Sequence, residues 1–255
     1  MRRSKYSHLC KCPIHDIQKG ALAGMLLGDS GIICTESTKY YLVTEHAEKQ
    51  KEYLLFKQQL FPNLLPAPAL CVDYRPRMNL VTWKVQSINH PDLEHLYKMF
   101  YFTGQKRVTK DIMKLLTPLG VALWYFDDGH FDKRYLQYRI CTASFPLEDQ
   151  KLMRDMLRRR FEIETSILRY FDKVHKKRRF HLYITKKSQK NFEELIRPFV
   201  IPCLEYKFGH VQTVPQRLDV SSFVQNFLHE TMIQSVLTGN SKSVAEMSTP
   251  SSNRE

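Results

Sequence analysis

The run GVALWYFDDG (Gly120–Gly129) is apolar for seven residues and then stops at two acids and a glycine. A second copy of the pattern, ALAGMLLGDSG, spans Ala21–Gly31. Each copy reads as a helix whose C-terminal end delivers one aspartate, Asp29 in the first and Asp128 in the second. The two runs also carry small residues, namely Ala21, Ala23, Gly24 and Gly28, and Gly120 and Ala122. Helices packed through large side chains lie ~8–10 Å apart; small side chains let these two cross closely and bring their ends together. A carboxylate at a helix C-terminus faces the negative end of the helix dipole. One such aspartate could serve as an ordinary turn cap. Two at equivalent positions predict a shared centre in which a divalent cation offsets the repulsion, and oxygen ligands suit Mg²⁺. Asp127 has Gly28 in its place in the first copy and reads as structural.

The rest of the chain repeats with these two runs. Asp29 and Asp128 are 99 residues apart, Thr44 and Thr142 are 98, Phe61 and Phe161 are 100, Leu96 and Leu195 are 99, and Lys106 and Lys207 are 101. A near-constant offset over five features marks an internal repeat. In the first copy the periodicity predicts a helix over His15–Leu27 with Asp16 as its cap and a hairpin of Gly31–Cys34 and Lys39–Thr44. An amphipathic helix over His46–Phe61 follows, then strands Ala69–Asp73 and Asn79–Gln86 and a helix from Pro91 through Phe100. In the second copy it predicts a helix after Thr117-Pro118, a strand Tyr135–Thr142 and a helix Leu147–Phe161. Strands Glu164–Phe171 and Arg179–Thr185 and a helix Ser188–Ile196 complete it. The expected architecture is an α+β protein of two αββαββα halves related by a pseudo-two-fold axis. Its expected parts are an N-terminal arm (1–15), a first half (16–108), a second half (109–236) and a disordered Ser/Thr/Asn-rich tail (237–255).

The 255 residues carry 39 Lys plus Arg against 26 Asp plus Glu, a formal charge of +13 that calls for an anionic partner. No apolar run reaches the ~20 residues of a membrane span, and no signal-peptide core follows the basic N-terminus, so the partner expected is nucleic acid and not a membrane. The six cysteines are scattered, which suits reduced, buried thiols. Cys10, Cys12 and His15 make a poor zinc site without a second cluster. The predicted hairpins alternate basic and polar with apolar residues. Lys39 and Tyr41, Arg75, Arg77, Lys84 and Gln86 lie in the first half; Arg134, Gln137, Arg139, Arg169, Lys173, Lys176, Lys177, Arg178 and His181 lie in the second. Two-stranded ribbons of this kind enter the DNA major groove, where Arg and Gln read bases and the KKRR loop holds phosphates. A solvated basic surface accounts for any one of these residues equally well; the overall charge favours nucleic acid for the set.

LAGMLLGDS (Leu22–Ser30) and VALWYFDDG (Val121–Gly129) resemble the two motifs of single-chain LAGLIDADG homing endonucleases. The likeness runs from about Asp16 to Phe208 and includes Thr117-Pro118 and the segment Ile201-Pro202 to Tyr206-Lys207. It departs from the family pattern at Leu27-Gly28 and Ser30, beside the first acid and not at it. The resemblance implies a monomeric, site-specific nuclease that cuts both strands of a long, near-palindromic DNA target in intron homing. It implies that Asp29 and Asp128 bind the catalytic metals and that Lys106 and Lys207 support the attacking water or the phosphate. Related proteins act as maturases, so intron RNA is the alternative partner; a transcriptional regulator on the same fold is a third reading.

Overall fold

The computed structural model describes residues 13–36, 38–75, 80–209 and 219–237. Cys10 and Cys12, Arg77, and the tail beyond Leu237 lie outside them.

The first half runs α1 (Asp16–Leu27), β1 (Gly31–Thr35), β2 (Lys39–Ala47), α2 (Lys51–Gln59), β3 (Leu70–Arg75), β4 (Leu80–Gln86) and α3 (Pro91–Phe100). A short helix, α4 (Lys110–Leu115), follows and leads into the second set of repeated elements. That set runs α5 (Pro118–Asp128), β5 (Gly129–Asp132), β6 (Gln137–Ile140), α6 (Leu147–Phe161), β7 (Thr165–Asp172), β8 (Lys177–Ile184) and α7 (Gln189–Ile196). The two antiparallel sheets have the same order, β1-β2-β4-β3 and β5-β6-β8-β7. The repeat read from residue offsets is therefore a repeat of topology.

Local chemistry explains most boundaries. The Thr117 hydroxyl accepts the Gly120 N–H at 3.2 Å, and Pro118 follows at the first helical position. The Thr109 hydroxyl caps α4 through the Ile112 N–H at 3.3 Å. The cap of α1 is His15, whose N–H donates to Gln18 Oε1 at 3.4 Å, and not Asp16 as the sequence suggested. The predicted helix from His46 begins later. β2 continues to Ala47 with strict alternation of burial, paired with β4 from Val43↔Gln86 to Ala47↔Thr82, and a 3₁₀ turn over Glu48–Gln50 precedes α2. The strand β5 and the helices α4 and α8 (Val220–Leu237) have no counterpart in the sequence reading.

Both sheets bury one face against helices. In β2, Tyr40, Leu42, Thr44 and His46 point inward while Lys39, Tyr41, Val43 and Glu45 stay on the open side. α1 and α5 form the central layer, where every residue from Gly20 to Leu27 and from Leu119 to Phe126 is buried. α8 spans both halves: Phe223 lies 6.0 Å from Phe56 of α2 and 5.7 Å from Phe199 after α7. No helix among the described residues is long and apolar enough to cross a membrane. The described cysteines are free, as expected of reduced thiols; Cys71 is exposed and Cys34, Cys141 and Cys203 are half-buried, so the expectation that they are buried is corrected.

Candidate active site

The site begins with two glycine-lined helices. A Cβ on Gly24 would lie 1.9 Å from the Gly120 carbonyl oxygen, and one on Gly120 would lie 2.3 Å from the Gly20 carbonyl oxygen. The backbones of α1 and α5 are in direct contact there, closer than any side chain allows. Gly20, Gly24 and Gly28 recur at a spacing of four along α1 and its C-cap; Gly20 was not among the small residues singled out in the sequence. Farther along, a Cβ on Gly28 would meet Asp127 Oδ2 at 2.4 Å. The crossing thus delivers the C-terminal ends of both helices, with Asp29 and Asp128, to one place.

Burial pushes the Asp128 carboxyl up to about 8, with Asp29 and Asp127 adding to the rise. Asp29 is raised by burial and then by Asp127, although its side chain keeps 47% of its exposure. Lys106 and Lys207 enter from matching positions. Lys106 Nζ donates to the carbonyls of Gly28 at 3.2 Å and Ser30 at 2.9 Å, which flank Asp29. Lys207 Nζ donates to the carbonyls of Asp127 at 3.0 Å and Gly129 at 3.1 Å, which flank Asp128. Burial lowers both ammonium groups, while the aspartates oppose that shift. The four residues that the resemblance marked are therefore assembled as two equivalent aspartate–lysine pairs.

A third lysine was not anticipated. Lys57 of α2 is fully buried and donates to Asp127 Oδ1 at 2.6 Å, and its Nζ lies 3.0 Å from His46 Nε2. Tyr53 donates to the same Asp127 oxygen at 2.9 Å, and the Asp29 N–H donates to Asp127 Oδ2 at 3.1 Å. Burial and then Lys57 hold the His46 ring down at about 3, so it is neutral. Tyr53 and Lys57 are four residues apart on the buried face of α2, a spacing that by itself does not name Asp127 as their partner.

The donor set fits a hard divalent cation. Asp29 and Asp128 offer carboxylate oxygens whose charged forms are disfavoured by burial and by neighbouring acids, a cost that a cation offsets. Asp29, His46 and Asp127 also place ligand atoms within 4.8 Å of one another. Asp127, however, already accepts three hydrogen bonds and has its charge matched by Lys57.

The hairpin residues fall on two surfaces. Lys39, Tyr41, Lys84 and Gln86 share the open face of the first sheet, Glu45 opposing Lys84 and Val43 opposing Gln86. Lys39 is also paired with Glu36. Gln137, Arg139 and Lys177 share the open face of the second sheet; Arg139 opposes Tyr183, and the Gln137 amide donates to the Ile184 carbonyl at 3.3 Å. Arg169 and Arg178 point to the opposite face by register, since they align with Phe180 and Phe171 and not with His181. His181 is buried and stacked on Tyr170 at 4.4 Å, so it is removed from the expected contact set. Arg134, Lys173 and Lys176 are exposed in the turns. Arg75 ends β3, and its side chain, like Arg77, is outside the description. An open cleft of about 530 Å³ has Lys106, Arg107, Lys177, Arg178 and Arg179 in its lining.

Comparison with known proteins bears on the family and the fold. The sequence pattern of the LAGLIDADG DNA endonuclease family matches residues 19–192. DNA endonuclease I-ChuI of Chlamydomonas applanata is 26% identical over 206 residues, covering 74% of this chain and 93% of that protein. Cytochrome b mRNA maturase bI2 of Debaryomyces hansenii is 25% identical over 194 residues, covering 73% and 71%. The structure of homing endonuclease I-WcaI bound to its DNA recognition sequence superposes with a TM-score of 0.70 at 24% identity, covering 82% of this chain and 95% of that one.

Proposed function

The chain belongs to the LAGLIDADG DNA endonuclease family and is a site-specific, metal-dependent DNA endonuclease; from that premise we propose that Asp29, Asp128, Lys106 and Lys207 form its two cutting centres. The observation that carries this assignment is the equivalence of the lysines. Each holds the two carbonyls flanking its aspartate, with matching partners in both halves. An ammonium group has three donors. Two are fixed on backbone oxygens, which leaves the third for a phosphate oxygen or the attacking water. Asp29 and Asp128 hold the divalent ions, with Mg²⁺ the natural choice for carboxylate oxygen donors. When bound, such an ion supplies Lewis-acid neutralisation of charge on the scissile phosphate.

The open faces of the two sheets, with Lys39, Lys84, Gln86, Gln137, Arg139 and Lys177, form the DNA-reading surface, and the exposed turns carrying Arg134, Lys173 and Lys176 hold phosphates. The pseudo-two-fold arrangement of one chain fits a monomer on a near-palindromic duplex. The boundaries proposed for the two halves are 16–108 and 109–236.

Duplexes enriched from a randomised library by binding in Ca²⁺, then challenged with Mg²⁺, test the assignment. Wild-type protein is expected to cut both strands. Asp29→Asn and Asp128→Asn are expected to lose cleavage by more than about 100-fold while binding persists. Cleavage indifferent to both substitutions would overturn it. The likeness to a maturase supports a second activity on intron RNA. That activity predicts RNA binding that survives both substitutions.

A further inference from the structure

The two halves differ in one buried polar cluster. At the offset of 100 residues that relates α2 to α6, Tyr53 and Lys57 correspond to Met153 and Leu157. All four are fully buried. The second half therefore fills these positions with apolar core, while the first half places a phenol and an ammonium there. Both reach Asp127, a residue of the other half whose own side chain is fully buried. A buried ion pair is commonly no better for stability than an apolar substitute, and the molecule carries the apolar version in its other half. The polar version is accordingly expected to serve something that exists on one side only.

What it touches is Asp29. Asp127 Oδ2 accepts the Asp29 N–H at 3.1 Å, and His46 Nδ1 stands 3.9 Å from Asp29 Oδ2. The Asp127 carboxylate occupies space that a Cβ on Gly28 would need, 2.4 Å away. Gly28 stands in Asp127's place in the first copy and has no side chain with which to do the same for Asp128. We propose that the buried Lys57–Asp127 pair, with Tyr53 and His46, is a positioning device for Asp29 alone, so that the two strand cuts depend on it unequally. Asp127 is a positioning residue: it fixes the backbone of Asp29, and Lys57 and Tyr53 fix Asp127.

This inference rests on Asp29 and Asp128 serving separate strand cuts. The test uses full-length protein and a cleavable duplex labelled at a different end on each strand, followed by single-turnover rates in Mg²⁺. Asp127→Asn is expected to slow one strand's cut by about tenfold, the range for losing an outer partner of a metal ligand. The other cut stays near the wild-type rate, so nicked duplex accumulates. Asp127→Asn leaves Lys57 buried without its counter-charge, so the double variant Asp127→Asn/Lys57→Met is measured beside it; the same strand bias is expected there with the thermal midpoint restored. Asp127→Glu is expected to recover part of the slow cut. Equal slowing of both strands, or of neither, in a folded, DNA-binding variant overturns the proposal. Failure of wild-type protein to cut, or indifference to Asp29→Asn, would instead overturn the assignment of the centres themselves.

Discussion

Asp128 makes a pH-dependent demand on the molecule. Its carboxyl titrates at about 8 when folded, far above the ordinary 3.8. A group raised on folding favours the folded state while protonated, and that contribution is lost as pH rises through the folded value. Metal-free protein should therefore melt at a lower temperature at pH 9 than at pH 6, and Asp128→Asn should flatten that slope. Cation binding has the opposite sign, because the ion must displace the proton below pH 8. Affinity for Mg²⁺ should weaken by up to about tenfold per pH unit there, with proton release visible by calorimetry in buffers of different ionisation heat. The two aspartates were legible in the sequence because a repeat singled them out. Lys57 was not. A lysine on a helix is ordinarily solvated, and nothing local to α2 reveals that Asp127, seventy residues away, is waiting for it.

Helix α1 is specified more tightly than its composition suggests. A methyl group on Gly24 would collide with the Gly120 backbone, which cannot yield as a flexible side chain would. Gly24→Ala should cost on the order of 3 kcal/mol, lowering the thermal midpoint by roughly 6–12 °C, and should reduce cleavage by separating the helix ends. Thr117→Ala removes the α5 cap, at about 1 kcal/mol, and gives a milder reference for the same helix pair. Helices α3 and α6 were read at their observed limits because proline starts each and an amphipathic stripe runs through it. The start of α2 was misread because Glu45, His46 and Ala47 sit in a stretch of good helix formers; pairing with β4 overrides that propensity. Strand β5 was missed for the converse reason. Its four residues, Gly-His-Phe-Asp, include no β-branched side chain, and only pairing with β6 makes them a strand.

Across the whole molecule the formal excess is +13, and exposed turns carry part of it, with Arg134, Lys173 and Lys176 among them. Replacing Lys173, Lys176, Lys177 and Arg178 together by alanine should weaken binding at every sequence. It should also lower the slope of log K against log salt by about one for each phosphate no longer neutralised. An unchanged slope would assign the loop to another role. The register of β7 and β8 explains why the sequence placed this set on one surface and the fold divides it. Strand alternation was read correctly, but the hairpin carries Arg169 and Arg178 on the face opposite Arg139.

The connection between the halves turns at Gly104, which is exposed, has φ +79° and has nothing within 4 Å of where a Cβ would stand. Lys106, two residues on, holds the carbonyls that flank Asp29 yet follows that turn. A protein delivered as two pieces, 1–103 and 104–255, would divide the first Asp–Lys pair between them and leave the glycine stripe of α1 without its partner. With the centres proposed above, neither piece is expected to cut by itself. Cutting would require the pieces to meet, so its rate would scale with the product of their concentrations, and an intramolecular crossing would have become a conditional switch.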